Sequence, residues 1–326
     1  ADCANRHTED CVRTSRPVTS TRPSYPMPEP TDPAKVTVDA GGRRLVVSNL
    51  DKVIYPATET TKGEVLHYYA RIAPVLLPHL AGRPVTRVRF PEGVEGLNFF
   101  EKNLPSGAPA WLPRVTLTHT SEPITYPMVT GLDALTYLAN LASLEFHVPQ
   151  WQIGADGLPG FPDRLVVDLD PGPGAGLQEC SIVALLARER LRALGLDPIP
   201  VTSGSKGMQL YAALPGSHAS ADIALVARTL AQELTAAHPD LVVWKMTTSL
   251  RPGKVFFDWS QNVAAKTTIS PYSLRGRPAP FVAAPRTWDE VQEGAATPGA
   301  LAQVTATEVL DRVERLGDLA AAVLPQ

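Results

Sequence analysis

One stretch limits what this chain can fold into more than any other: Leu165-Val166-Val167-Asp168-Leu169-Asp170-Pro171-Gly172. An apolar run leads into two acids one residue apart, and Pro-Gly ends it. In a strand, side chains alternate between faces. Asp168 and Asp170 then share one face, while Leu165, Val167 and Leu169 point the other way into a core. Two carboxylates held side by side repel unless a cation or a shared proton relieves them. Hard divalent cations such as Mg²⁺ take one or two carboxylates together with substrate phosphates. The stretch points to a metal-phosphate site at the end of a central strand. An edge strand with solvated acids closing in a turn would use the same residues.

Composition bounds the reading. The 326 residues, 44% of them hydrophobic, suffice for one large domain or two ordinary ones. A net charge of −3 means that any nucleic-acid site must be a local basic patch. No apolar run reaches the length of a membrane span, and no hydrophobic signal segment opens the sequence. Cys3, Cys11 and Cys180 make neither a disulfide nor a metal framework, which fits a reducing cytoplasm. Residues 1–35, rich in Thr, Ser, Arg and Pro, read as a flexible leader. The organised part is expected to span 36–326.

Val36 to Val47 alternates weakly around Gly41-Gly42, which suggests a hairpin. Thr61-Lys62-Gly63-Glu64 has the form of a helix capping box. The helix it opens carries Val65, Leu66, Tyr69, Ile72, Ala73 and Leu76 along one stripe. Lys62 falls at that helix N-terminus, where backbone N–H groups already favour anions. Together with Lys52 it could grip one phosphate, or both could be solvated surface lysines. Val85 to Phe90 reads as a strand with Arg87 and Arg89 on one face. In Phe99-Phe100 the rings must point to opposite faces of a strand. They form either a base-stacking platform or one core ring and one rim ring. Leu132 to Phe146 reads as an apolar helix ending at His147-Val148-Pro149-Gln150-Trp151, with His147 beside it.

Beyond the Asp-x-Asp strand, Gln178 to Leu194 reads as a long amphipathic helix and Pro198 to Ser203 as a strand. Thr202-Ser203-Gly204-Ser205-Lys206-Gly207 follows as a tight anion cradle: glycine lets backbone N–H groups approach, Ser donates and Lys neutralises. It is not a nucleotide-binding P-loop, because no Ser or Thr follows the lysine and a strand follows the loop. A helix is expected from Ala221 to Ala237. Val255-Phe256-Phe257-Asp258-Trp259-Ser260-Gln261-Asn262 then places a third acid in an apolar strand, where Asp is rare without a partner. From Lys245 to Arg286 there are seven basic residues (Lys245, Arg251, Lys254, Lys266, Arg275, Arg277, Arg286) and one acid, Asp258. That suits a polyphosphate bound beside a metal ligand.

The ordered set Phe99-Phe100-Glu-Lys-Asn, His147-Val-Pro-Gln-Trp, Asp168-Leu-Asp170-Pro-Gly, Thr202-Ser-Gly-Ser-Lys206-Gly, Asp258-Trp-Ser-Gln261-Asn and Pro271-Tyr-Ser-Leu-Arg275-Gly resembles the polymerase domain of bacterial DNA ligase D. That domain belongs to the archaeo-eukaryotic primase superfamily, and the resemblance covers about Val36 to Leu324. It implies an α/β (α+β) fold with central mixed and antiparallel sheets flanked by helices, and a primase-polymerase catalytic domain over 36–326. With no ligase or nuclease module beside it, a stand-alone relative of actinobacterial type is expected.

The resemblance implies that Asp168, Asp170 and Asp258 hold two divalent ions, Mn²⁺ or Mg²⁺. Ser203, Lys206, Gln261, Arg275 and Arg251 would hold the triphosphate and sugar of an incoming NTP or dNTP, and His147 would contact the nucleotide. Phe99 or Phe100 would stack on base or template, and Lys52 and Lys62 would bind the 5′-phosphate across a gap or break. Gln209 stands where many members carry His near the triphosphate; it can donate a hydrogen bond but carries no charge. The link between His147 and Asp168 reads as shorter than in ligase-fused members, which leaves end-bridging open. The implied reaction is transfer of a nucleotide, ribonucleotides preferred, to a 3′-hydroxyl in DNA repair. Ku or a DNA ligase acting in trans would be partners, and cytoplasmic, nucleoid-associated DNA the location. A DNA-end-binding module with weak catalysis and a metal phosphohydrolase are the alternatives; a dehalogenase-type hydrolase would want Asp-x-Asp-x-Thr/Val instead of Pro171-Gly172.

Overall fold

The structure, a computed structural model, describes residues 34–118 and 122–325. All but the last two positions of the leader read from residues 1–35, with Cys3 and Cys11, lie outside the described residues. The hairpin expected around Gly41-Gly42 is formed by β1 (Lys35–Ala40) and β2 (Arg43–Ser48). A short pair, β3 (Val53–Tyr55) and β4 (Thr60–Thr61), leads into α1 (Lys62–Leu80). Thr61 and Glu64 cap α1 reciprocally, and Val65, Tyr69, Ile72, Ala73 and Leu76 are buried along one side of it. Next come β5 (Thr86–Arg89), β6 (Phe99–Glu101), the hairpin of β7 (Arg114–Thr118) with β8 (Pro123–Pro127), and α2 (Leu132–Asn140).

Here the sequence reading is corrected. The single helix expected over 132–146 is two elements. Helix α2 stops at Asn140, Ala142 adopts a left-handed backbone (φ 60), and β9 (Ser143–Val148) follows. A short apolar-rich run reads alike as helix or strand, and pairing of Ser143–Val148 on both edges decides for the strand. Glu145 and His147 thereby become neighbours on one face of a sheet.

The Gly/Pro-rich link holds a hairpin, β10 (Trp151–Ile153) with β11 (Pro159–Pro162). The Asp-x-Asp strand is β12 (Arg164–Pro171), followed by α3 (Leu177–Ala193), β13 (Ile199–Thr202), β14 (Met208–Ala213) and α4 (Ser220–Ala237). The rest comprises β15 (Val242–Val243), β16 (Val255–Asp258), β17 (Thr268–Ile269), β18 (Ala284–Pro285), α5 (Trp288–Ala296) and α6 (Ala306–Leu316).

Two sheets carry the site. The larger has the order β15-β16-β12-β14-β13-β18, antiparallel except between β15 and β16. The smaller, β17-β9-β5-β6, is antiparallel throughout. Strand β12 is paired on both sides, so the edge-strand alternative falls. Leu165, Val167 and Leu169 pack beneath α3 and α4 with Val183, Ala187, Leu230 and Phe257. Burying one such side chain contributes about 1.5–3 kcal/mol. Several together outweigh a like-charge repulsion of about 4 kcal/mol at 4 Å, so the strand can hold its two acids close. On the opposite face, Val166, Val201 and Tyr211 pack against Ile269 of the smaller sheet, and the Tyr211 hydroxyl donates to the Ile269 carbonyl at 2.7 Å. The far side of the smaller sheet buries Leu144 and Phe146 against α1 and α2. The acids therefore lie on the face of the larger sheet that is turned toward the smaller one. Among the described residues no helix is long and apolar enough to cross a membrane.

Candidate active site

Asp168 stands opposite Asp258 in the β12–β16 register and opposite Gln209 in the β12–β14 register. Opposed residues of an antiparallel pair share a face, with Cα atoms about 4.5–5.5 Å apart. Asp170, two residues on, shares that face. The three acids picked out in the sequence thus come together on adjacent strands. Burial, then the neighbouring carboxylates of Asp170 and Asp258, holds Asp168 well above the usual carboxylate range. Asp170 reaches solvent at the strand end, yet the protein around it, then Asp258, raises it as well, opposed by Arg251, Arg275 and Lys206.

The hydrogen bonds leave coordination capacity. Asp168 Oδ1 accepts from Gln209 Nε2 at 3.2 Å. Asp258 Oδ1 accepts from the Ser260 N–H (2.9 Å) and hydroxyl (2.6 Å), and its Oδ2 from Gln261 Nε2 (3.0 Å). Among the described residues nothing donates to the Asp170 carboxylate. An ionised carboxylate has about four acceptor positions, so none of the three is saturated. Among the described residues no three His, Cys, Asp or Glu side chains have already closed into a metal-binding group. The donor set nevertheless suits Mg²⁺ or Mn²⁺: three hard oxygen donors share one face, and two of them are raised by burial and neighbouring carboxylates, which a divalent cation would relieve.

The loop from Ser203 to Gly207 joins β13 to β14. Gly204 has φ +69, and a Cβ there would strike the Arg275 side chain and the Val282 backbone, so only glycine fits. Gln303, which no sequence motif signals, pins the loop: its Oε1 accepts from the Gly204 N–H at 2.7 Å, and its Nε2 donates to the Gly207 carbonyl at 2.9 Å. Ser203 Oγ accepts from the Ser205 N–H at 3.2 Å. Lys206 is exposed, on the acid side. The Arg251 guanidinium lies 3.8 Å over the Phe256 ring and donates to the Met246 carbonyl. The basic stretch is not uniform, however. Arg286 is buried and ion-paired with Glu290 at 3.0 Å, and Lys254 Nζ donates to the Pro239 carbonyl at 2.6 Å. Those two serve the fold, because each is spent on a partner within it.

The smaller sheet supplies a second set of groups. His147 Nε2 lies 2.8 Å from Glu145 Oε2, and the Phe100 ring meets the imidazole edge-on at 6.2 Å. Phe99 and Phe100 are 47% and 58% exposed. The split into one core ring and one rim ring is thus corrected: β6 is an edge strand, and neither ring enters the core. Arg87 and Arg89 share a face and both grip Glu101, at 2.9 and 2.8 Å. Sequence reasoning missed Glu145 because the helix reading hid its two-residue spacing from His147.

Lys52 and Lys62 are neighbours, the Lys62 N–H donating to the Lys52 carbonyl at 2.8 Å. The solvated-surface alternative fails for Lys62, which is 5% exposed. Its Nζ donates to the Ser48 carbonyl at 2.6 Å. Burial, then Lys52, lowers it to about 8. Lys52 is ion-paired with the exposed Glu92 at 3.0 Å.

Comparison with known proteins gives one consistent result. The family described as LigD, primase-polymerase domain, matches residues 61–320. A multifunctional non-homologous end joining protein LigD of Mycolicibacterium smegmatis is 51% identical over 278 residues, 85% of this chain and 36% of the relative. The bifunctional non-homologous end joining protein LigD of Bacillus subtilis is 33% identical over 279 residues, 84% of this chain and 43% of the relative. The chain thus spans less than half the length of either relative. Among solved structures, the polymerase domain from Mycobacterium tuberculosis ligase D in complex with DNA superposes with a TM-score of 0.82 at 48% identity. That match covers 86% of this chain and 98% of that one.

Proposed function

The chain belongs to the LigD primase-polymerase domain family of nucleotidyltransferases, and from that premise we propose that residues 36–326 add nucleotides to a primer 3′-hydroxyl at gaps or ends of DNA. The observation that carries the reading is the meeting of Asp168, Asp170 and Asp258 on one face, beside the Ser203–Gly207 loop and Arg275. Mg²⁺ or Mn²⁺ ions, two per site, held by these acids would neutralise charge at the reacting phosphate and favour ionisation of the attacking hydroxyl. Lys206, Arg275 and Arg251 offset the negative charge of the triphosphate and of the departing pyrophosphate. Ser203 and Gln261 donate to the nucleotide, and Gln209 holds Asp168 in place as a neutral donor. His147 faces the sugar, and Phe99 and Phe100 offer exposed ring faces to the template strand.

The relative solved in complex with DNA supports a DNA substrate here. Lys52 and Lys62 receive its 5′-phosphate. Ribonucleotides are the preferred substrates, Ku or a ligase in trans the partners, and nucleoid DNA in the cytoplasm the place of action. Nucleotide incorporation into gapped DNA with Mn²⁺ tests the reading. The unaltered protein extends the primer, and Asp258→Ala binds the DNA but does not extend it. Normal extension by Asp258→Ala contradicts the assignment, and phosphate release without extension would mark a phosphohydrolase.

A further inference from the structure

We propose that Glu145 is a positioning residue of the nucleotide site: one buried carboxylate fixes which ring nitrogen of His147 faces the nucleotide and holds Arg275 in place. Glu145 belongs to none of the motifs that mark the site, yet it joins two of them. Its Oε2 lies 2.8 Å from His147 Nε2. Its Oε1 accepts from the Gly276 N–H at 3.0 Å and lies 3.4 Å from Arg275 Nε. Strand β9 and the Arg275-Gly276 turn are therefore tied to each other through a single side chain, itself 7% exposed. The turn has no slack: a Cβ at Gly276 would fall within the Phe90 ring, and the Tyr55 hydroxyl donates to the Arg275 carbonyl at 2.9 Å.

The chemistry follows from the charge on Glu145. Burial alone would raise this carboxyl. The His147 hydrogen bond, Arg275 and the Gly276 N–H overcome that and pull it down to about 2. An ionised carboxylate only accepts hydrogen bonds, so His147 must present Nε2–H to it. In the neutral ring the proton then sits on Nε2, and Nδ1 is left as an acceptor. An acceptor at that position takes a hydrogen bond from a donor such as a sugar hydroxyl. Arg275, held by the same carboxylate, keeps its remaining N–H groups for phosphate oxygens.

The structural part of the inference is independent of the proposed function, and only its kinetic part rests on that reading. The test has two arms. Nitrogen-15 spectra of histidine-labelled protein without nucleotide, at mildly alkaline pH, should show His147 as the Nε2–H tautomer. Glu145→Gln, which keeps the shape and removes the charge, should shift that signature. The Nδ1–H tautomer in the unaltered protein overturns the inference, and this arm needs no variant to fold. In steady-state incorporation, Glu145→Gln should raise the nucleotide KM about tenfold, the lower end of what losing a carboxylate partner costs a metal-bound histidine, with kcat changed less. In a His147→Ala background the further rise should be smaller. An unchanged KM overturns the inference. Failure of the unaltered protein to incorporate nucleotide would sink the proposed function and leave the spectroscopic arm to decide the role of Glu145.

Discussion

The two sheets treat their carboxylates in opposite ways. On the smaller sheet each acid is matched from within the fold. Glu101 takes Arg87 and Arg89, and Glu145 takes His147, Gly276 and Arg275 and sits at about 2. On the larger sheet Asp168 and Asp170 are raised by burial and by neighbouring acids, and the cations that influence Asp170 leave it raised. Matched acids hold the architecture together. Crowded acids are tolerated because the hydrophobic face behind them anchors the strand, and they mark where a positive charge must arrive from outside.

Swapping a carboxylate for its amide should therefore have opposite signs on the two sheets. Asp168→Asn should cut nucleotide incorporation by about a hundred- to a thousandfold while leaving DNA binding in place, measured by primer extension and gel shift. In chelator the same variant should melt higher. Asp168 titrates above its unfolded value, so the folded state binds the extra proton and loses stability as pH rises through that window. Removing the charge returns about 1 kcal/mol, or about 2–4 °C in a large domain. A lower melting temperature would break the contrast.

Glu101→Gln should instead destabilise the fold by about 3 kcal/mol, because it strands the buried Arg87 guanidinium, measured by urea unfolding. A neutral result would mean that the smaller sheet does not depend on its matched charges.

The lysine pair sharpens the comparison by pH. Lys62, lowered to about 8, is charged at pH 7 and largely neutral at pH 9. The preference for gapped DNA with a 5′-phosphate over a 5′-hydroxyl should fall as pH rises between those values, and Lys62→Ala should flatten the dependence. Because the unfolded lysine keeps its proton to higher pH, the same shift makes the fold slightly more stable as pH rises from about 8 to 10.5. The smallest effect is expected at Glu92→Gln. An exposed pair is worth about 0–1 kcal/mol, so freeing Lys52 should tighten 5′-phosphate binding by at most about fivefold.

Much of this was legible in the sequence because it lies in local pattern. The alternation around Asp168 and Asp170, the capping box at Thr61 and the glycine-serine-lysine loop each declare an element within a few residues. What stayed hidden depends on who lies across from whom. The run from Leu132 to Phe146 carries apolar residues at both helical and strand spacings, so only pairing separates α2 from β9, and with β9 comes the Glu145–His147 contact. Gln303 reaches the Ser203–Gly207 loop from a distant part of the chain that carries no motif. Lys62 reads as a surface lysine because its burial comes from the turn that brings Ser48 over it.

The most direct test of the central claim, that three acids from two strands hold divalent ions against a nucleotide tail, is anomalous diffraction at the manganese edge. A crystal soaked with Mn²⁺ and a nucleoside triphosphate would be used. Manganese peaks in contact with Asp168, Asp170 and Asp258, with the phosphates reaching Lys206 and Arg275, are the result this account expects. Manganese bound elsewhere, with those carboxylates bare while the nucleotide is seated, would contradict it.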